Sequence, residues 1–374
     1  GLKYFDNWAS SFGQTVTGVE LAPEGTTFRL KTRFSKFFNL PELIKLWKES
    51  TDIQTADMLN LPKPKAIYKT IVTKPTSIQK DMLLDISNRA EKVRNKEVDI
   101  SVDNMLKITS DGRKLALDQR IINPLFPDDE NSKLNICINN IYDIYLKNSE
   151  NKGTQLIFCD SSTPKSSEGV FNVYDDIKEK LINKGIKDDQ IAFIHDANSE
   201  NQKAELFAKV RSGKVRILLG STQKCGAGTN IQDRLVALHH LDCPWRPSDL
   251  EQREGRILRY GNRNPEVFIF RYVTENTFDA YNWSIVETKQ KFISQIMTSK
   301  TPMRSMEDID ETALSYAEVK ETIELMKKDC SILNNNIISE DNFNINIDGT
   351  NYNKRKDAGN ALYNLCKSYN QEYG

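Results

Sequence analysis

Short apolar runs alternate with helical segments through the middle of the chain, and each run has the length of one buried strand. The runs lie at 154–159, 190–195, 215–219 and 235–242, and the helical segments lie at 173–183 and 201–210. Strands covered on both faces by helices read as near-continuous apolar runs rather than alternating ones. The order therefore predicts an α/β fold with a doubly wound, mainly parallel sheet, helices on both faces and right-handed crossovers.

A segment rich in glycine and in hydrogen-bond donors follows the third apolar run. Gly226 and Gly228 let the backbone approach a ligand closely and turn its N–H groups outward. The side-chain donors of this segment are Ser221, Thr222 and Lys224, all suited to phosphate oxygens. Tight turns also need glycine, so the segment indicates a phosphate site only together with its neighbours.

Gln252, Arg256 and Arg259 lie at i, i+4 and i+7 after the fourth apolar run. On a helix of about 100° per residue, this spacing gathers one amide and two guanidiniums within roughly 60° of one face. Guanidinium groups stay charged and grip phosphate oxygens in a planar fork. A solvated helix face is the commoner explanation for an arbitrary arginine pair, but the glycine-rich segment just upstream favours recognition of a phosphate chain.

Helix signals bracket the two arginines. Ser248 and Glu251 have the spacing of a capping box, Pro247 precedes them, and Gly261 supplies a stop. We therefore expect one continuous helix across 248–260. Because open α/β sheets bind ligands at the carboxyl ends of their strands, the glycine-rich segment and this helix are expected to meet at one edge of the sheet.

Residues 218–262 resemble the second RecA-like lobe of superfamily II helicases, closest to the Swi/Snf-type DNA translocases. The residues that match the fifth helicase motif are Ser221, Thr222, Gly226, Gly228 and Asn230, and those that match the sixth are Gln252, Arg256, Arg259 and Gly261. Asp242, Trp245 and Pro247 match the segment between the two motifs. Asn262, Gly255 and residues 223–225 depart from the usual pattern. The resemblance covers roughly residues 59–290.

The resemblance implies a role for each matched residue. Arg256 and Arg259 would be arginine fingers, and Gln252 would hold the γ-phosphate or the attacking water. The ATP-binding set would be Gly226, Gly228 and Asn230, and the set on the nucleic-acid backbone would be Ser221, Thr222 and Lys224. ATP and Mg²⁺ would be bound mainly by a first RecA-like lobe, the nearest partner. The polymer would be DNA, duplex rather than single-stranded.

The phosphate-binding half of such a motor is missing from the sequence. No Gly-x-x-x-x-Gly-Lys-Ser/Thr loop occurs, and no Asp-Glu pair ends an apolar strand. In the resembling family these parts lie on the first lobe. Since the chain also begins with glycine, we expect a piece of a larger protein that does not hydrolyse ATP by itself.

Composition excludes several other classes. Lys and Arg together number 52, as do Asp and Glu, so any DNA contact must come from local patches rather than from net charge. Six scattered cysteines favour the reducing cytoplasm, and no apolar run is long enough to suggest a membrane partner. No metal site is expected. His239 and His240 are adjacent on a strand and face opposite ways, which favours structural roles.

Four segments are expected along the chain. Residues 1–58 would be a strand and a helix from the tail of the first lobe or an insertion, and 59–290 would be the second RecA-like lobe. A helical extension and linker would occupy 291–336, and 337–374 would begin a further domain with a hairpin turn at Asp348-Gly349. Arg113 and Lys114, in an expected loop, are weaker candidates for phosphate contact.

Two alternatives compete with the motor lobe. Asp242-Cys243-Pro244-Trp245 loosely resembles the Asp-Pro-Pro-Tyr motif of adenine-specific DNA methyltransferases, although no S-adenosylmethionine loop accompanies it. The second alternative is a lobe that binds nucleic acid or protein without catalysis. The Lys/Asn/Ile-rich composition suits an AT-rich bacterium, and large helicase–methylase proteins of mobile elements and phages have a similar arrangement.

Overall fold

A computed structural model of the protein describes residues 4–21, 28–52, 62–164, 171–225, 228–298, 305–307, 345–347 and 350–352. The chain forms two compact units, Gly1–Ile323 and Glu324–Gly374. The strands are β1 Gly13–Leu21, β2 Phe28–Phe38, β3 Lys65–Thr73, β4 Thr154–Phe158, β5 Ile191–Phe193, β6 Ile217–Gly220, β7 Leu235–His240, β8 Glu266–Thr274, β9 Ser305–Glu307, β10 Ile345–Ile347 and β11 Thr350–Tyr352. The helices are α1 Phe5–Phe12, α2 Leu40–Ser50, α3 Ser77–Arg94, α4 Met105–Leu117, α5 Lys133–Lys147, α6 Val173–Asn183, α7 Glu200–Ser212, α8 Thr222–Cys225, α9 Pro247–Glu254 and α10 Phe278–Thr298.

A six-stranded sheet organises the larger unit. Its strand order is β3-β8-β7-β4-β6-β5, and every neighbouring pair is parallel. From β4 the chain forms β5 and β6 on one side and then β7 and β8 on the other, as in doubly wound domains. The predicted doubly wound, parallel α/β fold is confirmed.

Two apolar clusters cover the two faces of this sheet. One contains Ile157 and Leu219 together with residues of α5 and α6 such as Ile138 and Ile177, all almost completely buried. The other contains Leu156, Leu218 and, from α7, Val210. Because successive side chains on a strand point to opposite faces, the continuous apolar runs of the sequence supply both clusters at once.

The expected strands occur where the apolar runs lie, and each differs from its run by one or two residues at one or both ends. The run at 190–195 forms a strand only over Ile191–Phe193, since a 3₁₀ turn takes over at Ile194–Asp196. The expected helix at 173–183 is confirmed, and the one expected at 201–210 extends over Glu200–Ser212. The expected loop around Arg113 is wrong, because Met105–Leu117 is a helix with a capping side chain on Asn104.

Smaller elements come before and after the strands of this sheet in the chain. Residues before 52 form two helices and the antiparallel pair β1–β2, which β9 extends, so this segment holds more than the one strand and one helix expected. In the second unit, β10 and β11 pair antiparallel, which confirms the expected hairpin strands. The turn at Asp348-Gly349 and most of the helical extension and linker expected at 291–336 lie outside the described residues. The boundaries at 58, 290 and 336 stay predictions.

None of the helices in the described ranges has both the length and the apolar character needed to cross a membrane.

Candidate functional site at the carboxyl edge of the sheet

The turn after β6 brings the predicted donor residues to the carboxyl edge of the sheet. A Cβ atom added at Gly220 would lie 2.2 Å from Sγ of Cys225, so only glycine lets the following turn fold back this tightly. Cys225 N donates to the Ser221 carbonyl oxygen at 2.9 Å, which closes the turn. The buried thiol of Cys225 thus anchors the segment that carries Ser221, Thr222 and Lys224.

The glycine-rich segment opens toward solvent at Gly228. Its φ of +69° is left-handed, and a Cβ added there would meet no atom within 4 Å. Asn230 is also exposed, and its carbonyl oxygen accepts from Nη1 of Arg211 at 2.7 Å. Gly226, the third member of the predicted ATP-binding set, lies outside the described residues.

The helix expected across 248–260 is wrong at both ends. Helix α9 begins at Pro247, with Arg246 as the N-cap, and no side chain caps it, so the capping box of Ser248 and Glu251 does not form. It ends at Glu254, and residues 255–260 continue as turns. The arginines therefore do not share a helix face with Gln252.

Arg256 nonetheless reaches the glycine-rich segment. Its Nε donates to the Gln252 carbonyl oxygen at 3.1 Å, and its Nη1 donates to the Thr229 carbonyl oxygen at 3.2 Å. Burial lowers the pKa of Arg256, and the charge of Arg259 lowers it further, so the two guanidiniums are electrostatic neighbours. Gln252 and Arg259 are exposed. The turns after α9 thus bring the two arginines near one another, and Arg256 reaches the glycine-rich segment.

The three predicted nucleic-acid contacts differ in accessibility. Ser221 is buried, and its Oγ accepts from Lys224 N at 3.3 Å. Thr222 Oγ1 donates to Asp160 at 2.6 Å and accepts from Arg253 at 2.7 Å. Lys224 is exposed. Two of the three side chains thus make internal contacts, and Lys224 faces solvent.

Arg253 is the most deeply buried cation of the site, and the sequence interpretation assigned it no role. Its side chain is 0% exposed and lies 2.7 Å from Asp160 and 3.2 Å from Asp242. Burial opposes its charge, but the two carboxylates hold the pKa of Arg253 above its ordinary value. Asp160 follows β4, Thr222 follows β6 and Asp242 follows β7, so one guanidinium ties α9 to the ends of three adjacent strands.

Asp242 completes this network from the other side. One of its oxygens accepts from the backbone N–H groups of Asp160 and Ser161, both at 2.7 Å. The carboxylate is 2% exposed and fully engaged, which argues against its use as an acceptor for an adenine amino group in a methyltransferase. A sequence signal for this network did exist, because Asp160 and Asp242 each come just after a buried strand.

A second buried network surrounds the next residue, Glu254. Its carboxylate accepts from the Tyr68 hydroxyl at 2.9 Å and from Arg271 Nη2 at 3.2 Å, with His240 Nε2 at 3.6 Å. Burial would raise the pKa of Glu254, but the contact with His240 and the other donors lowers it below its ordinary value. Glu254 is therefore a buried carboxylate compensated by several donors.

The paired histidines have the structural surroundings that were expected. His239 stacks on Phe270 at 4.9 Å and lies 3.0 Å from both the Tyr272 hydroxyl and Gln155 Oε1. Burial lowers the pKa of His239 to about 3 and that of His240 to about 4. Both side chains are accordingly neutral at pH 7.

Arg113 lies in the interior rather than at a phosphate site. It is 7% exposed, donates to the Cys243 carbonyl oxygen at 2.6 Å and packs 4.0 Å from the ring centre of Trp245. The weaker expectation of a phosphate contact at this residue is wrong. Within the described ranges, no group of three His, Cys, Asp or Glu side chains is arranged to hold a metal ion.

Comparison with known proteins matches the part of the chain that carries this site. Residues 133–261 match the model of the helicase conserved C-terminal domain, and this range includes both the glycine-rich segment and the two arginines. The matched range contains most of residues 218–262, whose motifs resemble a helicase C-terminal lobe.

The individual relatives are similar to this chain at low sequence identity and over different shares of its length. "Defense against restriction protein B" of Escherichia phage P1 is 26% identical over 121 residues, which is 32% of this chain and 5% of the phage protein. The crystal structure of the C-terminal part of the Fun30 ATPase domain superposes with a TM-score of 0.44 at 14% identity, covering 73% of this chain and 99% of that one. The DUF1998 helicase MrfA bound to DNA gives 0.30 at 17% identity, covering 44% of this chain and 21% of MrfA.

Proposed function

We propose that this chain supplies the C-terminal motor lobe of an ATP-dependent DNA helicase or translocase. Arg256 and Arg259 act as arginine fingers on ATP that a first RecA-like lobe holds across a cleft. The observation that carries the proposal is the pair of neighbouring guanidiniums, one of them bonded to the carbonyl oxygen of Thr229 beside the open Gly228. Such a pair stabilises the charge that develops during phosphoryl transfer.

The residues at this edge fit a nucleotide phosphate chain. ATP supplies the phosphoryl group whose transfer drives the motor. Gly228 leaves open space where a side chain would stand, and its left-handed backbone is the conformation from which N–H groups form anion-binding nests. Gln252 is exposed on the last turns of α9 and can orient a phosphate oxygen or the attacking water.

Mg²⁺ belongs with the first lobe in this proposal. Asp160 and Asp242, the acidic residues that follow β4 and β7, are both engaged by Arg253. Holding Mg²⁺ would require one of them to leave a buried cation, which is costly. We therefore expect this lobe alone to bind Mg²⁺–ATP weakly and not to hydrolyse it.

DNA contact is expected at the end of β6, with Lys224 as the outward-facing cation. Exchanging Lys224 for Glu should weaken DNA binding across all sequences and reduce the salt dependence of log K by about one phosphate contact. Duplex DNA, single-stranded DNA and RNA of equal length, titrated by fluorescence anisotropy at two salt concentrations, test the expected preference for duplex DNA. Equal affinity of the Lys224→Glu variant would contradict the contact.

The experiment on the fingers uses the protein that carries both lobes. Arg259→Ala should reduce DNA-stimulated ATPase by about 10³-fold or more and leave DNA affinity unchanged, because the side chain acts on the transition state. Arg259→Lys should not restore the rate, because an ammonium cannot replace the planar fork. Arg263→Ala is the matched control, since Arg263 is an exposed arginine four residues away whose side chain lies 3.9 Å from Asp233. Normal ATPase in Arg259→Ala would refute the assignment and favour a non-catalytic lobe.

A further inference from the structure

The turns at 255–260, which carry Arg256 and Arg259, are bonded to the backbone of the last residues of α9. Gly255 N donates to the Glu251 carbonyl oxygen at 2.8 Å. Arg256 N donates to the Arg253 carbonyl oxygen at 3.1 Å, while Ile257 N and Leu258 N donate to that of Glu254 at 3.1 and 2.9 Å. The turns at 255–260 have no continuous helix behind them, so these bonds fix where they start. The aim of Arg256 and Arg259 therefore depends on how firmly Arg253 and Glu254 are held.

The side chains of these two consecutive residues reach different strands. Arg253 binds groups at the ends of β4, β6 and β7. Glu254 binds Tyr68 on β3 and Arg271 on β8, and lies beside His240 on β7. The end of α9 is thereby bonded to five of the six strands of the sheet. Chain ends without such anchors open locally at little cost in free energy.

The Glu254 side of this anchor has no role in the fingers' own chemistry. Glu254 is 8% exposed, and its carboxylate accepts hydrogen bonds from side chains of the sheet. It is therefore not accessible to a ligand at the outer edge. Charge-assisted bonds of this kind are stronger than neutral ones and have a defined geometry. Such a group can influence hydrolysis only by fixing the backbone that precedes the arginines.

We propose that Glu254 is a positioning residue that, through Tyr68 and Arg271, holds the segment 255–260 and so the aim of Arg256 and Arg259. The inference rests on the proposed function for its effect on catalysis. Its structural half, the immobilisation of residues 255–260, stands by itself and can be measured without ATP. The hydrogen bond between Glu254 and Tyr68 also connects this segment to β3.

Amide hydrogen exchange tests the structural half. In Glu254→Gln, which keeps the side-chain volume, the amides of residues 256–258 should exchange at least about tenfold faster, as expected for the loss of a charge-assisted hydrogen bond. Tyr68→Phe removes a single hydroxyl and should give a smaller increase at the same amides. Glu287→Gln is the matched control. Glu287 contacts Arg271 at 2.9 Å from the exposed side, and exchange at 256–258 should not change.

Unchanged exchange in Tyr68→Phe and in a folded Glu254→Gln would overturn the inference. If Glu254→Gln fails to fold, Tyr68→Phe alone decides. A similar increase in Glu287→Gln would also overturn it, because the effect would then belong to Arg271 rather than to Glu254.

Kinetics of the protein that carries both lobes test the catalytic half. Glu254→Gln should lower kcat about tenfold with KM for ATP and DNA affinity unchanged, because misaimed fingers weaken transition-state contacts only. In a background that carries both Arg256→Ala and Arg259→Ala the same change should have no further effect on kcat, whereas general damage to the fold would add to it. The inference would be overturned if the losses in kcat were additive. It would also be overturned if Glu254→Gln had the same kcat as Glu287→Gln.

The two proposals fail in different ways. If Arg259→Ala abolishes ATPase but Glu254→Gln does not lower kcat, the fingers stand and the positioning role is wrong. If Arg259→Ala retains full ATPase, the finger assignment fails, and hydrogen exchange still decides whether Glu254 holds the segment.

Discussion

Three arginines within seven consecutive residues, Arg253, Arg256 and Arg259, occupy different environments in this lobe. Arg253 is completely buried between Asp160 and Asp242, while Arg256 is half-buried on main-chain carbonyls and Arg259 is exposed. The buried residue has its charge fully compensated, so it can only hold structure. Burial lowers the pKa of Arg256, and the nearby charge of Arg259 lowers it further. The contrast separates a cation held between two carboxylates from two cations near the glycine-rich segment.

The largest expected effect concerns the outer pair. Arg256→Ala in the protein that carries both lobes should reduce DNA-stimulated ATPase by about 10³-fold or more. Its unfolding free energy should change by less than about 1 kcal/mol, as for ordinary surface substitutions. Steady-state ATPase assays and urea denaturation measure the two quantities. A large loss of stability with a normal rate would reverse the assignment of roles.

The buried arginine should show the opposite pattern. Arg253→Met leaves Asp160 and Asp242 near one another without their cation, and removing one partner of a buried ion pair costs about 3–5 kcal/mol. Urea denaturation of this variant beside Arg256→Met, which removes an arginine three residues away, measures the difference. Equal stabilities of the two variants would show that the contrast has no energetic basis.

Acid should destabilise the fold through its buried histidines. The pKa values of His239 and His240 in the folded protein, about 3 and about 4, lie below the ordinary value of 6.5. Between pH 6 and pH 5 the unfolded chain therefore takes up protons that the folded chain does not, and stability falls as the pH falls. Two such groups give a loss of about 2 kcal/mol over that interval.

Denaturation of His240→Gln at several pH values tests whether stability falls as the pH falls and whether the buried histidines are the cause. His239 and His195, whose pKa burial also lowers, still titrate in this variant, so the slope of unfolding free energy against pH should fall by about 1 kcal/mol per pH unit without disappearing. At pH 8 both histidines are neutral in both states, so neither contributes a slope there. A slope that the substitution leaves unchanged would place the acid sensitivity elsewhere.

The smallest effect is expected at the open glycine. Gly228→Ala has room for its methyl group, but the left-handed backbone at φ +69° costs an L-residue about 1 kcal/mol. Gly213, which is also left-handed, is the control: a Cβ there would lie 2.7 Å from Lys152, so Gly213→Ala should cost more. Thermal denaturation of the two variants measures the difference, and a larger loss at Gly228 would mean that the loop is packed rather than open.

The sequence predicted the sheet well because burial on both faces leaves continuous apolar runs, and the order of strands and helices then limits the topology. It failed at the arginine helix for a physical reason. The i, i+4, i+7 spacing fits a helix, but α9 ends at Glu254 with Gly255 as its C-cap, and glycine disfavours continuation of a helix. Arg256 still reaches the glycine-rich segment through the Thr229 carbonyl oxygen.

Partners distant in sequence explain what else was missed. Asp160 and Arg253 are 93 positions apart, and Tyr68 and Glu254 are 186 apart. Periodicity and capping rules describe neighbours within a few residues, so neither pair could be found from them. The same limit hid the engagement of the Thr222 hydroxyl, which looks free in sequence and is bonded to Asp160 in the fold.

The central claim is that Arg256 and Arg259 reach a nucleotide carried by another lobe. A crystal structure of the protein that carries both lobes, with DNA and a transition-state mimic of ATP such as ADP–aluminium fluoride, tests it most directly. We predict that both guanidiniums lie within hydrogen-bonding distance, about 3 Å, of the phosphate mimic. Guanidiniums that point into solvent, or that pair with carboxylates of their own lobe while the mimic is bound, would contradict the account.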